Sequence, residues 1–167
     1  QSFEVANLRE MHMKRGKGSN IRLLQLLGRP GDRPGDVVAA NGTLTYGQMM
    51  TPVGLQEIAR YADGIGPELR AIIPLQADGR LGTPTSLVRD AQGEGLMVAP
   101  YTFRPENQFQ AADFRKGDAA ARNADGSVAE IRAYLATGID AFFTDDPALG
   151  RRAVDGRATP AAENQAP

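Results

Sequence analysis

The chain has 167 residues, 41% of them hydrophobic, and a formal net charge of −1. That length suits one domain with a buried core, and the near-neutral balance argues against a phosphate-coating nucleic-acid binder, which needs a basic face. Cysteine is absent, which excludes disulfides, thiolate zinc sites and a cysteine nucleophile; no apolar run approaches the ~20 residues of a membrane span, and no signal peptide is visible.

The opening QSFEVANLRE reads as a strand end running into a helix, with no methionine ahead of it. The domain is therefore expected to begin upstream of Gln1, with residues 1–3 as a parallel strand. VANLREMHMKR sets Val5, Leu8, Met11 or His12, and Arg15 at helical spacing, and NIRLLQLLG is a short apolar run closed by glycine, a buried strand. Residues 28–52 are rich in Gly and Pro and read as a long surface insertion. PVGLQEIARYA predicts a helix opened by Pro52, with Leu55, Ile58, Ala59 and Ala62 on one face. DGIGP reads as a tight strand, and ELRAIIPLQADGRLGTP has no clear period.

TSLVRDAQGEG predicts a short helix capped by Thr85 or Ser86 and ended by Gly95; LMVAPYTFR follows as a strand. Residues 105–126 look like a second irregular insertion. SVAEIRAYLATG predicts a helix with Ser127 as N-cap, Glu130 completing a capping box and Gly138 as the stop. IDAFFTDD is expected to be a strand and PALGRRAV a helix with Pro147 at its first position. Residues 155–167 lack apolar periodicity and read as a disordered tail.

Strand and helix alternating in this way predict a parallel α/β fold, with short strands apolar on both faces. Such folds carry chemistry at the C-terminal strand ends, where Gln25, Gly66, Tyr101 to Arg104 and Thr144 to Asp146 gather. Three stretches, YADGIGP (61–67), LMVAPYTFRPEN (96–107) and GIDAFFTDDPALGRRAV (138–154), together resemble the glycerophosphodiester phosphodiesterases, specifically the bacterial periplasmic type. QSFEVANLREMH (1–12) and LLQLLG (23–28) fit the same family in the same order, so the resemblance spans residues 1–154.

The resemblance implies the C-terminal portion of a TIM barrel, about its last five strands. It also implies that a missing N-terminal half carries a His-Arg motif, a Glu-x-Asp pair, a second His and the Glu of a Glu-Ile-Lys motif. Those groups would supply the acid and base and hold a divalent cation, Ca or Mg. None has a counterpart here, so the expectation is no catalytic residue and no metal ligand in this chain. The lone His12 is read as structural, and Ala99 stands where the relatives usually have His before the proline.

The chain's expected contribution is the substrate pocket: Phe3, Gln25, Tyr101, Phe103 and Arg104. Three of them have a second reading. Phe3 lines the pocket floor or plugs the core; Gln25 contacts substrate or ties two strands together. Alternation sends Tyr101 and Phe103 to one face, and the resemblance implies that Tyr101 walls the pocket against the glycerol moiety. Arg104 meets a phosphodiester oxygen pair bidentately or forms a surface salt bridge. Glu4 is read as a helix cap and Asp146 as the N-cap of the last helix, with Asp145 and Thr144 orienting groups at the mouth. The expected activity of the complete protein is metal-dependent hydrolysis of glycerophosphodiesters to sn-glycerol 3-phosphate and an alcohol, in the periplasm or outside the cell. The isolated chain is expected to be inactive. The alternative is a non-catalytic binding or scaffolding protein on a degenerate barrel.

Overall fold

The computed structural model describes residues 1–16 and 19–156, in which helices and short strands alternate. β1 (Leu24–Leu27), β2 (Gly64–Pro67) and β3 (Met97–Val98) form one parallel sheet in sequence order. With right-handed crossovers, sequential order brings the connecting helices to one face of the sheet. Gln25, Leu27, Ile65 and Val98 point into that helix-covered side and are fully buried. The other face carries Leu24 and Leu26, which lean over glycines of β2. A Cβ on Gly66 would lie 2.6 Å from Leu26 Cδ2, and one on Gly64 2.7 Å from the Met97 carbonyl, so β2 tolerates no side chain on this face.

Of the five expected strands three form, and the outer two are reduced to single parallel bridges, Ser2 with Gln25 and Phe103 with Thr144. Ser2 still exchanges backbone bonds with β1, donating to Leu24 O at 3.2 Å and accepting from Leu26 N at 2.9 Å. On the far edge, residues 140–145 run beside residues 98–103, with Phe143 N donating to Pro100 O and Phe103 N to Phe143 O, both at 2.9 Å. The ladder there stays broken for a local reason. Pro100 has no N–H to give, and the Val98 N–H goes to the side chain of Asp140 at 2.8 Å instead of to backbone.

The helices are α1 (Val5–Lys14), α2 (Gly35–Ala39), α3 (Tyr46–Met49), α4 (Pro52–Ala59), α5 (Leu69–Ile72), α6 (Leu87–Gly93), α7 (Ala124–Leu135) and α8 (Pro147–Asp155). Several boundaries follow the local signals. Thr51 Oγ1 accepts from Gly54 N ahead of Pro52, and Asp146 Oδ1 accepts from Leu149 N at 3.1 Å ahead of Pro147. Gly95 and Gly138 end their helices at φ of +77° and +90°, a conformation that suits glycine. At α6 neither expected cap forms the standard bond: the Ser86 hydroxyl donates to Asp90 Oδ2 at 2.5 Å, and Thr85 Oγ1 accepts from Leu87 N at 3.4 Å.

Other expectations are corrected. α7 begins four residues before the predicted start, with Asn123 rather than Ser127 as its cap, accepting from Gly126 N. Ser127 lies inside the helix, and Glu130 is drawn inward to Arg70, 2.8 Å away, and to the Ala111 N–H. The stretch 28–52 is not a bare insertion: it holds α2 and α3, and Tyr46 and Met49 are core residues. Residues 105–123 are irregular, with one 3-10 turn (Asn107–Phe109), but three amides fix them. Asn107 donates to the Lys116 and Asp118 carbonyls, Gln110 to Pro105 O, and Asn123 to Phe114 O. Asp155 belongs to α8 rather than to a tail, and residues 157–167 lie outside the described residues.

Glu4 does not cap its own helix. Its carboxylate accepts from Asp36 N at 2.5 Å, at the start of α2, while Asp36 Oδ2 accepts from Ala6 N at 2.6 Å, at the start of α1. Each carboxylate thus sits at the positive end of the other helix.

At the N-terminal ends of the strands, Asp63 joins three elements. It accepts from Arg15 Nη1 at 2.5 Å and Nη2 at 3.1 Å, and from Leu23 N at 2.7 Å. The Arg15 hydrogen bond, helped by Leu23 N–H, holds the Asp63 carboxyl below its usual value against partial burial. A carboxylate depressed on folding stabilises the protein above its unfolded value, ~3.9, and loses that contribution as pH falls through the folded value. Asp63→Asn is therefore expected to lower stability at pH 7, and urea melts should show the gap to wild type closing as pH is taken from 5 to below ~3.9. A gap that stayed constant with pH would deny the pair its role.

Candidate functional site at the C-terminal strand ends

Phe3, Tyr46 and Tyr101 meet where the C-terminal ends of the strands open. Phe3 packs edge-on against Tyr101, with centroids 5.9 Å apart and planes at 89°, and against Tyr46 at 6.3 Å and 71°. Such geometry sets the positive ring edge against the negative face. The Tyr101 hydroxyl donates to Leu27 O at 2.9 Å, so the ring is pinned to the end of β1. Burial pushes both the Tyr101 and the Tyr46 phenols up in pKa, which keeps them protonated donors near neutral pH.

Three cavities open here and Tyr101 borders all of them. The largest, about 700 Å³, lies between Phe3, Tyr46, Tyr101, Glu68 and the loop carrying Arg29 and Arg33. A second of about 370 Å³ lies between Phe3, Leu26, Thr102 and Asp145. A third of about 280 Å³ runs between Glu68, Arg70, Thr102, Arg104 and Phe109. A larger hollow of about 940 Å³ sits at the opposite end, by His12, Arg15 and Asp63. Two of its charged residues, Arg15 and Asp63, are locked to each other, and parallel α/β folds place ligand chemistry at the other end of the strands. The aromatic mouth is therefore the candidate site.

The structure separates the five residues expected here. Phe3, 38% exposed, and Tyr101 come together at the mouth. Arg104 stands close by: its Nε forms an ion pair with Asp145 Oδ2 at 2.9 Å and its guanidinium lies 4.7 Å from the Phe109 ring centroid. That leaves both Nη groups without a partner among the described residues, on a side chain 45% exposed.

Gln25 and Phe103 do not reach the mouth. Gln25 is completely buried, its Nε2 facing the carbonyls of Ser2, Phe3 and Leu26 at 3.0–3.3 Å, while its Oε1 accepts from the Tyr61 hydroxyl at 2.9 Å. It ties the first segment to β1 and to the helix layer. Phe103, 2% exposed, packs edge-on between Tyr134 and Phe142 in the core. Alternation was expected to keep it beside Tyr101, but the regular strand ends at Val98 and the rule lapses beyond it.

Sequence reasoning missed Tyr46 and Glu68. The signal for Tyr46 was present: Thr45 and Gln48 form a capping box that opens a helix with Tyr46 and Met49 inward. Glu68 follows GIGP at the end of β2, a position that in a parallel sheet faces the ligand side.

No protein-family model matches the chain. The chain is 37% identical over 101 residues to the glycerophosphodiester phosphodiesterase GDPD6 of Arabidopsis thaliana, a match covering 60% of this chain and 25% of that protein. The similarity therefore supports the glycerophosphodiester phosphodiesterase family, and the matched stretch spans about a quarter of the relative's length. The small parallel sheet with its helices suits a part of such an enzyme. Among the described residues no three His, Cys, Asp or Glu side chains converge as a metal site, so the residues present do not fit the divalent cation that the family resemblance implies. No described helix is long and apolar enough to cross a membrane.

The separation of wall from core is measurable. Gln25→Ala should cost roughly 2–4 kcal/mol, through buried carbonyls and a hydroxyl left unpaired, and Phe103→Ala roughly 3–5 kcal/mol. Phe3→Ala should cost less than about half as much as Phe103→Ala, since much of its ring is already in water. Denaturant midpoints of the three variants decide it; equal losses at Phe3 and Phe103 would make Phe3 a core residue.

Proposed function

We propose that the complete protein hydrolyses glycerophosphodiesters to sn-glycerol 3-phosphate and an alcohol, and that this chain supplies walls of the substrate pocket. The observation that carries this reading is the likeness to the plant phosphodiesterase over 101 residues. The mouth agrees with it in kind. A glycerophosphodiester has an anionic phosphate between two polar carbon chains, and the mouth offers an aromatic wall with an arginine whose Nη pair is open.

On this reading the chain is the C-terminal portion of a TIM barrel. The sequential sheet order and the bridges flanking it support that. The acid, the base and the ligands of a Ca or Mg ion would come from outside this chain, since the described residues offer no converging set. Within the chain, Asp145 holds Arg104 by Nε, and the two Nη groups present a fork that meets two phosphate oxygens. A lysine has no such fork. The bacterial periplasmic type, and with it a periplasmic or secreted location, rests on the resemblance of the sequence stretches alone; the relative found is from a plant.

The complete protein, assayed with glycerophosphocholine in Ca or Mg and again in chelator, is expected to release sn-glycerol 3-phosphate only with the cation. The 167-residue chain alone is expected to release none. Arg104→Ala in the complete protein should raise KM with kcat nearly unchanged, a loss of about 2 kcal/mol, and Arg104→Lys should recover part of it. Thermal melts should barely move, because a half-exposed ion pair contributes under ~1 kcal/mol. Unchanged kinetics with a lowered melting temperature would return Arg104 to a structural salt bridge. A complete protein that turned over no diester under any cation would favour the binding or scaffolding reading.

A further inference from the structure

Two acidic side chains of the mouth have no hydrogen-bond or ion-pair partner among the described residues, the exposed Asp32 and Glu68. Glu68 is half-buried at the end of β2 and borders both the 700 Å³ and the 280 Å³ cavities. Among the described residues its carboxylate makes no hydrogen bond and no ion pair, although it is close enough to Tyr101 to bear on that phenol electrostatically. Three of the nearby arginines make other contacts, while Arg29 on the rim makes none among the described residues. Arg70 is paired to Glu130 at 2.8 Å and donates to Tyr134 and to the Phe109 carbonyl. Arg104 is paired to Asp145, and Arg33 donates to Gly42 O from the exposed rim. A cationic ligand would supply the counter-charge that this carboxylate lacks.

The groups around it are of the matching kind. Phe3, Tyr46 and Tyr101 border the same cleft, with the plane of Phe3 crossing those of Tyr46 and Tyr101 at 71° and 89°. Ring faces attract cations, and aromatic clusters with a carboxylate are how quaternary ammonium groups are held. Arg29 stands on the rim of the same cleft with no side-chain partner among the described residues. A zwitterion can set its ammonium inward against Glu68 and its phosphate outward toward Arg29, so a cation alone binds there, though more weakly than the zwitterion.

We propose that Glu68 with the rings of Phe3, Tyr46 and Tyr101 is a specificity subsite for a cationic, ammonium-bearing alcohol group of the diester substrate. This rests on the hydrolytic reading for the identity of the substrate, though the subsite itself is a binding property. Glu68 selects the alcohol and takes no part in breaking the phosphorus–oxygen bond.

The test uses the complete protein with two diesters that differ in the alcohol alone, glycerophosphocholine and the uncharged-alcohol analogue glycerophosphoglycerol. Wild type should favour the choline diester. Glu68→Gln, which keeps the shape, should lower kcat/KM about tenfold for the choline diester and less than about twofold for the glycerol diester, mainly through KM. Glu68→Lys should abolish the preference. Equal losses on both diesters, or no loss on either, would overturn the proposal. Tetramethylammonium titrated calorimetrically into the complete protein reads the subsite without turnover. Saturable binding weakened about tenfold in Glu68→Gln supports it; absence of binding to wild type overturns it. Failure of both diesters to react, with tetramethylammonium still bound through Glu68, would sink the hydrolytic reading and leave the subsite standing.

Discussion

The mouth of this protein is built on one buried amide. Gln25 has no access to water, and every polar atom of its side chain is committed to the protein. Its Nε2 faces the carbonyls of Ser2 and Phe3, which have only a single backbone bridge to hold them to the sheet. Its Oε1 receives the Tyr61 hydroxyl, whose pKa burial pushes up to about 12. An amide is suited to this place because it donates and accepts at once; a carboxylate would only accept and would bring a charge. Through this knot the first segment gains a fixed position, Phe3 is delivered to the rim, and Tyr46 and Tyr101 acquire the neighbour against which both pack.

Charge at the strand ends is arranged with equal economy. The adjacent pair Asp145 and Asp146 invites reading as a metal site, but successive residues on an extended chain point apart, and these two do. Asp145 turns to Arg104 at the mouth, while Asp146 caps α8 and pairs with Arg122 at 2.5 Å. The abrupt stop of the apolar run at TDDP is thus the point where one chain end must serve both a mouth and a helix start. Inside the helix layer, Glu130 is buried enough that its carboxyl sits above its ordinary value even with Arg70 beside it, because desolvation outweighs the partner's attraction.

What the sequence showed plainly were features settled by neighbours in the chain. Pro52 and Asp146 with Pro147 announce helix starts, Gly95 and Gly138 announce ends, and the alternation of apolar runs announces a parallel sheet. What it concealed depends on distant partners. Ser127 and Glu130 spell a capping box, yet Asn123 wins the cap because Glu130 is claimed by Arg70 and Ala111 N–H. Residues 105–123 carry no period because amide side chains, not backbone ladders, hold them. The placing of Phe3, Tyr101 and Arg104 at the mouth was legible from their positions at strand ends. Gln25 and Phe103 shared that place, and their burial follows from Tyr61 and Tyr134, which no local pattern connects to them. Tyr46 was hidden by the prolines and glycines around it.

The exchange of caps between α1 and α2 has a consequence for how this sequence can vary. Glu4 closes the start of α2 and Asp36 closes the start of α1, so neither carboxylate serves the helix that bears it. Loss of Glu4 would leave its own helix intact and fray the segment next to Arg33. The two positions thus form a reciprocal unit, and in homologous sequences they should be kept or replaced together. A homologue that changes one alone would be expected to carry a new acceptor nearby, and such paired substitution would mark the Arg29–Arg33 rim as a part of the architecture inherited with α1 rather than with the sheet.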